Sequence, residues 1–186
     1  TDGAIQFRAQ NTTGGAFASR ISSGSIAPLN QWTHILVTWD GSTNADNIHI
    51  YANGTEVNYS STTSGTGTIW DDSAEQLRFG NASTNLPFDG IINEVAIWNV
   101  VLIASEIVLL AKSRVKGMPL QIQPSALKLY LPMDDEEDGT SADGDTFADR
   151  SGNGNNGTGD NGANNTGLTW RGETVLNYPC SILQGQ

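Results

Sequence analysis

Cysteine is all but missing from this chain: Cys180 is the single one in 186 residues, so no internal disulfide staples the fold and the redox compartment is left open. Positive charge is scarce as well. Nine Lys and Arg stand against 20 Asp and Glu, a formal net charge of −11, and since affinity for nucleic acid and for anionic membranes comes mainly from Lys and Arg, both partners are excluded. Long apolar runs are lacking too. The most apolar window, Ile91 to Ala111, carries Asn93, Glu94, Asn99, Ser105 and Glu106, and its first half alternates with the period of a strand, which rules out membrane insertion. No signal-peptide pattern heads the chain, although it opens at Thr1 without an initiator methionine, which leaves room for a removed upstream segment. The 2 histidines, His34 and His49, both fall in strand-like segments. No Gly-x-Ser-x-Gly elbow is available to pair with them, so the sequence does not read as an enzyme.

What is abundant is glycine, at 21 residues, while charged residues make up only 16% of the chain. The surface must therefore be covered largely by Asn, Ser and Thr, the composition of a loop-rich β protein. The length suits one β domain. The excess of carboxylate is compatible with calcium, with neutral sugars or with plain solubility.

Alternation of apolar and polar residues marks the strands. Ala4 to Arg8 and Ala16 to Ile21 predict a first hairpin, and Ser22 to Asn30 reads as a polar connector. Trp32 to Trp39 carries apolar residues on both faces and predicts a central strand. Ile48 to Ala52 leads into Asn53-Gly54, the positive-φ pair that a type I′ turn requires, with Glu56 to Tyr59 returning. Ser60 to Thr68 reads as a Ser/Thr/Gly loop, Leu77 to Phe79 as a strand closed by Gly80, and Phe88 to Trp98 as the best strand of the chain. Ser105 to Lys112 is the one helix candidate, stopped by Gly117 and Pro119. Leu127 to Met133 then predicts a strand with Leu127, Leu129, Leu131 and Met133 on one face. From Asp134 to Gly167 the sequence is almost entirely Asp, Glu, Gly, Asn, Ser and Thr, a long loop held between that strand and the apolar close at Leu168–Trp170 and Val175–Tyr178.

Three motifs in order, Trp-x-His-x-x-Val-Thr-Trp-Asp-Gly (Trp32 to Gly41), Ile-x-Ile-Tyr-x-Asn-Gly (Ile48 to Gly54) and Phe-Asp-Gly-x-Ile-Asn-Glu-Val-x-Ile-Trp-Asn (Phe88 to Asn99), resemble the laminin-G-like, concanavalin A-like lectin-glucanase superfamily. The resemblance covers about residues 1 to 115. It implies an all-β fold, a two-sheet antiparallel jelly-roll sandwich with one short helix. Leu129 to Asp135 and Asp149 to Thr158 resemble the opening of such domains but come last here. Either a second jelly roll is cut short, or the tail fills the place of a missing first strand. So few apolar groups could not offset the chain entropy of a separate domain. The expectation is one domain over 1–186, with the main strands and helix in 1–120 and a returning strand plus Asp/Asn/Gly-rich loop in 121–186 completing the sheet. The helix departs from the family, since Ile103 stands where the capping hydroxyl belongs in Ile103-Ala-Ser-Glu106.

Asp149, Asn153 and Asn155, with glycines at 152, 154 and 157, offer oxygen ligands for calcium. The resemblance adds Asn93 and Glu94 as neighbours of that turn, although Asp more often stands at the position of Asn93. The competing reading is an Asx-rich turn stabilised by its own side chains. Asp134, Glu136, Asp138, Gly139 and Asp145 match some positions of a helix-loop-helix calcium loop, but a strand precedes them and the last ligand is Asp, so a solvated acidic loop fits better. Trp70, Trp170, Tyr51 and Tyr59 are candidates for stacking on sugar rings, Trp70 the best exposed, while Trp32, Trp39 and Trp98 follow the strand pattern and belong in the core. The paired carboxylates of a glycosidase are missing around Glu94. Asn-x-Ser/Thr sequons, among them Asn11, Asn53 and Asn156, matter only in a secretory host. The expected function is a non-enzymatic extracellular module that binds carbohydrate or glycoprotein or mediates cell adhesion, with structural calcium. The alternative is a structural domain of a homo-oligomer or surface assembly, such as a virion decoration, fibre or envelope-layer protein.

Overall fold

The computed structural model describes residues 3–12, 16–80, 88, 90–113, 115–135 and 139–160. Cys180 and the apolar close at 168–170 and 175–178 lie outside them. The strands in chain order are β1 (Gln6–Gln10), β2 (Phe17–Ser22), β3 (Ile35–Thr38), β4 (His49–Ala52), β5 (Thr55–Glu56), β6 (Tyr59–Thr63), β7 (Val95–Trp98), β8 (Leu127–Leu131), β9 (Thr146–Phe147) and β10 (Gly157–Thr158), and the helix α1 (Ala104–Lys112) lies between β7 and β8. They form several small sheets in two compact units.

The first unit, Thr1–Glu75 with Val100–Lys112, holds two three-stranded antiparallel sheets, ordered β1-β2-β6 and β3-β4-β5. Its core draws on both. Ala18 of β2, Ala45 and Ile48 are completely buried, with Phe7, Val37 and Trp39 packed against them. Alanine at two of these places keeps the centre thin, and the bulk comes from Phe7 and Trp39, whose rings lie 5.7 Å apart. The indole N–H of Trp39 donates to the Ser42 carbonyl at 2.8 Å, so its polar atom is satisfied. The turn between β4 and β5 is the one the sequence predicts, with φ of 51° at Asn53 and 82° at Gly54. Gly54 is doubly required: a Cβ there would stand 3.0 Å from the Cβ of Ala111 and 3.4 Å from the Cα of Val108, because α1 rests on the turn.

α1 starts directly after Ile103, which cannot cap it. Glu106 keeps half of the capping box, its Oε2 accepting from the Ile103 N–H at 2.9 Å.

β5 has two residues, so the outer edge of β4 is left open beyond it. Side chains of the other sheet close it. The Ile50 N–H donates to the Tyr59 hydroxyl at 2.9 Å, and the Ile48 carbonyl accepts from Arg20 Nη1 at 2.7 Å. The guanidinium of Arg20 lies 3.9 Å over the Tyr59 ring. Glu56 Oε1 completes the cluster, accepting from the Tyr59 hydroxyl at 2.8 Å and lying 2.7 Å from His49 Nδ1. Burial opposes the charge of Glu56, but the hydrogen bonds of His49 and Tyr59 and the nearby Arg20 outweigh it and hold its pKa below the ordinary value.

The second unit, Gln76–Asn99 with Ser113–Gln186, holds two antiparallel pairs, β7 with β8 and β9 with β10. Leu127, Leu129 and Leu131 are buried as expected, and so is Tyr130, which points the opposite way along the strand. The Trp98 indole donates to the Ile122 carbonyl at 2.7 Å.

Six expectations are corrected. The central strand expected over Trp32 to Trp39 is Ile35–Thr38 and stands at the end of the order β3-β4-β5. The returning strand expected over Glu56 to Tyr59 divides, Glu56 closing β5 and Tyr59 opening β6 in the other sheet. The stretch read as a loop from Ser60 begins with β6, a Ser/Thr strand held by backbone pairing to β2 rather than by apolar burial. Leu77–Phe79 forms no strand among the described residues, and Leu77 is 64% exposed. The strand drawn from Phe88 shrinks to Val95–Trp98, because Glu94 takes a left-handed φ of 55° that a continuous strand does not allow. Trp32 is 43% exposed and so lies outside the core.

Removing the Tyr59 hydroxyl isolates the cross-sheet closure. Tyr59→Phe leaves the Ile50 N–H without its acceptor and lowers unfolding stability by about 1–3 kcal/mol, read as a reduced urea midpoint at unchanged slope. An unchanged midpoint would show that the hydroxyl contributes nothing to joining the sheets.

Candidate functional site

Among the described residues, β8 is paired with β7 on one edge only. Along the other edge runs the Asp149 loop, and its side chains take the place of a strand. The Tyr130 N–H donates to Asp149 Oδ1 at 2.9 Å, and the Arg150 N–H donates to the Tyr130 carbonyl at 2.8 Å. Asn153 Nδ2 donates to the Leu127 carbonyl and Asn155 Nδ2 to that of Lys128, both at 2.8 Å. Gly152 and Gly154, at φ of 88° and 75°, supply the reversals that bring both amides back to the edge.

The Asp149 carboxylate sits at the centre. Oδ1 accepts from the N–H groups of Tyr130 and Ser151 at 2.9 Å, and Oδ2 from the Ser151 hydroxyl at 2.8 Å and the Asn155 N–H at 2.9 Å. Burial opposes its charge, but these donors outweigh burial and hold its pKa below the ordinary aspartate value. Beside it, Arg150 Nη2 lies 2.7 Å from Asp135 Oδ1, and Asp135 Oδ2 accepts from the Ala148 N–H at 3.0 Å.

Glu94 reaches the same strand from the β7 side. Its N–H donates to Asn93 Oδ1 at 2.7 Å, and its carboxylate receives the Tyr130 hydroxyl at 3.0 and 2.9 Å. Tyr130 is thus fixed by Asp149 at its backbone N–H and by Glu94 at its hydroxyl.

These contacts test the fit of calcium, which takes six to eight oxygen ligands. Asp149 turns its lone pairs to N–H and O–H donors, Asn153 and Asn155 turn their amide nitrogens to β8, and Asn93 gives its oxygen to a neighbouring N–H. The hydrogen bonds are those of the self-bonded Asx turn, with the Asp149 carboxylate engaged at both oxygens. Among the described residues, no group of three or more His, Cys, Asp or Glu could hold a metal ion. In the second acidic stretch, Glu136 and Asp138 lie outside the described residues, and Asp134 is ion-paired with Lys116.

Among the described aromatic candidates, Tyr51 and Tyr59 both adjoin Glu56. Trp70 is 53% exposed, and its N–H donates to the Gln10 carbonyl at 2.9 Å, which pins it to the β1 edge. Tyr59 is on β6, the opposite edge of that sheet, with one ring face under Arg20. Tyr51 stands opposite Glu56 in the β4–β5 register, and burial and that carboxylate raise its pKa. Trp170 lies outside the described residues. Of the sequons, Asn11 is 1% exposed, which closes it to glycosylation in the folded protein. His34 is half-buried, and that burial lowers its pKa.

A family model described as the concanavalin A-like lectin/glucanases superfamily matches residues 1–108, more than half of the chain. The chain belongs to this laminin-G-like family. No curated protein and no solved structure matches. The predominance of β structure, the single helix and the several small sheets are consistent with an all-β concanavalin A-like fold. In this laminin-G-like chain the match takes in β1 to β7 and ends inside α1, so β8 and the Asp149 loop lie beyond it. Sequence reasoning missed Tyr130 as the joint of the site. Its signal was a single large aromatic set against the alternation of Leu127, Leu129 and Leu131.

The Asp149 carboxylate gives a pH signature. Because its folded pKa is depressed, its stabilisation is present above the ordinary aspartate value and is lost as pH falls through the folded value. Asp149→Asn costs about 1–3 kcal/mol near neutral pH, and the gap to the parent protein narrows once the pH is taken below the ordinary aspartate value. Urea unfolding at both pH values checks this, and a gap that stays constant would refute the carboxylate's role.

Proposed function

We propose that this chain is a non-enzymatic, extracellular carbohydrate-binding or adhesion domain, built as a two-sheet jelly-roll sandwich that the C-terminal tail completes. The observation that carries the reading is the family match over residues 1–108; fold alone does not imply function, so the site must be tested directly. Laminin-G-like domains are generally non-catalytic and typically extracellular. The two histidines support a non-catalytic reading, His34 through its burial and His49 through its engagement with Glu56. No helix among the described residues is long and apolar enough to cross a membrane. Trp70, with its ring exposed and its backbone fixed, is the best-presented stacking surface of the first unit.

One observation favours the second reading, a structural domain of a surface assembly. Val100, Val101, Ile103 and Leu109 are 46%, 51%, 62% and 48% exposed along α1 and the segment before it, and an apolar surface of this kind suits a subunit contact. Sedimentation analysis separates the two readings. A monomer that binds glycans supports the first, and a stable oligomer that binds none supports the second.

A glycan array probed with and without chelator tests the first reading, which expects binding to a neutral saccharide that chelator does not abolish. In parallel, EDTA should leave the melting temperature unchanged to within about 1 °C. A calcium ion bound at a hundredfold its Kd would add about 2.7 kcal/mol, worth roughly 5–10 °C in a domain of this size. A shift that large would restore calcium as a structural ligand.

A further inference from the structure

The second unit holds an open cleft of about 380 Å³, within the range of small-molecule sites. Tyr130 and Pro132, both buried, and Leu120 give it an apolar side. Lys116, Asp134 and Arg150 supply its charges. Lys116 pairs with Asp134 and Arg150 with Asp135, so each cation has its carboxylate and the charges balance. A balanced cleft in a chain of net charge −11 does not attract a free anion. It presents N–H donors and a carboxylate acceptor beside an apolar surface, which matches a ligand whose hydroxyls both donate and accept and whose ring carries an apolar C–H face.

Asp134 adds an independent observation. Its Oδ2 meets Lys116, whereas its Oδ1 is shut from solvent and has no hydrogen-bond partner. A buried acceptor without a donor is costly, and such a group asks for an explanation. A ligand hydroxyl is the donor that would complete it, beside a Lys116 that is 36% exposed on a flexible stem. We propose that this cleft is the saccharide site: Asp134 accepts from ring hydroxyls, Lys116 and Arg150 donate to others, and the apolar side meets the C–H face of a neutral pyranose. The proposal rests on the carbohydrate-binding reading and gives it a location in the tail-bearing unit, apart from the Trp70 surface.

Titration of the ¹⁵N-labelled full chain with methyl glucoside, methyl mannoside, methyl galactoside and cellobiose tests it without requiring a variant to fold. The expected result is amide shifts confined to residues 115–120, 130–135 and 148–151 with at least one of these probes. Asp134→Asn then weakens that binding about tenfold or more, equivalent to about 1.4 kcal/mol, while Trp70→Ala leaves it unchanged. Spectra of both variants with the parent's dispersion establish that they are folded. Saccharide binding that shifts residues around Trp70 and is abolished by Trp70→Ala overturns the cleft and leaves the carbohydrate reading standing. No shift anywhere with any of the four probes, together with an empty glycan array, overturns both.

Discussion

A strand of four or five residues leaves backbone donors and acceptors open wherever its neighbour is shorter, and buried backbone groups do not stay unpaired. That constraint governs the structure. β4 outruns its two-residue partner β5, and among the described residues β8 has a strand on one edge only. Each gap is closed by side chains in place of a further strand. Arg20 and Tyr59 take the Ile48 carbonyl and the Ile50 N–H. Asp149, Asn153 and Asn155 take Tyr130, Leu127 and Lys128. The same device guards sheet edges against pairing with other chains, since an edge already bonded to side chains offers no free template.

This accounts for the composition. With charged residues at 16% and Asn, Ser, Thr and Gly so frequent, the chain has few ion pairs but many groups that bond backbone at short range. Some of the charges it does carry are placed at joints: Arg20 and Glu56 between the sheets of the first unit, Asp149, Glu94 and Asp135 around β8 in the second. Their energetic weight comes from bonding N–H and O–H groups, not from exposed salt bridges, which contribute little.

What was legible in the sequence follows from the same physics. Hairpin β1–β2, the positive-φ turn at Asn53-Gly54 and the helix after Ile103 all announce themselves through local periodicity or turn chemistry, whereas the central strand expected over Trp32 to Trp39 is shorter and stands at the end of its sheet's order. β6 does not announce itself, because a Ser/Thr strand earns its place by pairing with β2, a contact with no local signature. The break at Glu94 was invisible for the same reason: its positive φ is imposed by a tertiary bond from the Tyr130 hydroxyl and a local one to Asn93. At the Asp149 turn, residue types and glycine spacing were read correctly as oxygen-rich. Which way the amides faced was not in the sequence, and in the structure the Asn153 and Asn155 nitrogens face the edge of β8.

Tyr130 links scaffold to cleft. Its N–H is bonded to Asp149, its hydroxyl to Glu94, and its ring lines the cleft beside Pro132 and Asp134. A ring held at both ends cannot rotate away from a ligand, so the apolar side of the cleft is set before anything binds and little ordering remains to be done on association. The left-handed backbone of Glu94, costing on the order of 1–3 kcal/mol, then has a physical purpose: it carries the carboxylate that fixes the far end of that ring. The tail residues that close the edge of β8 therefore also hold the shape of a surface where donors, an acceptor and an apolar face converge.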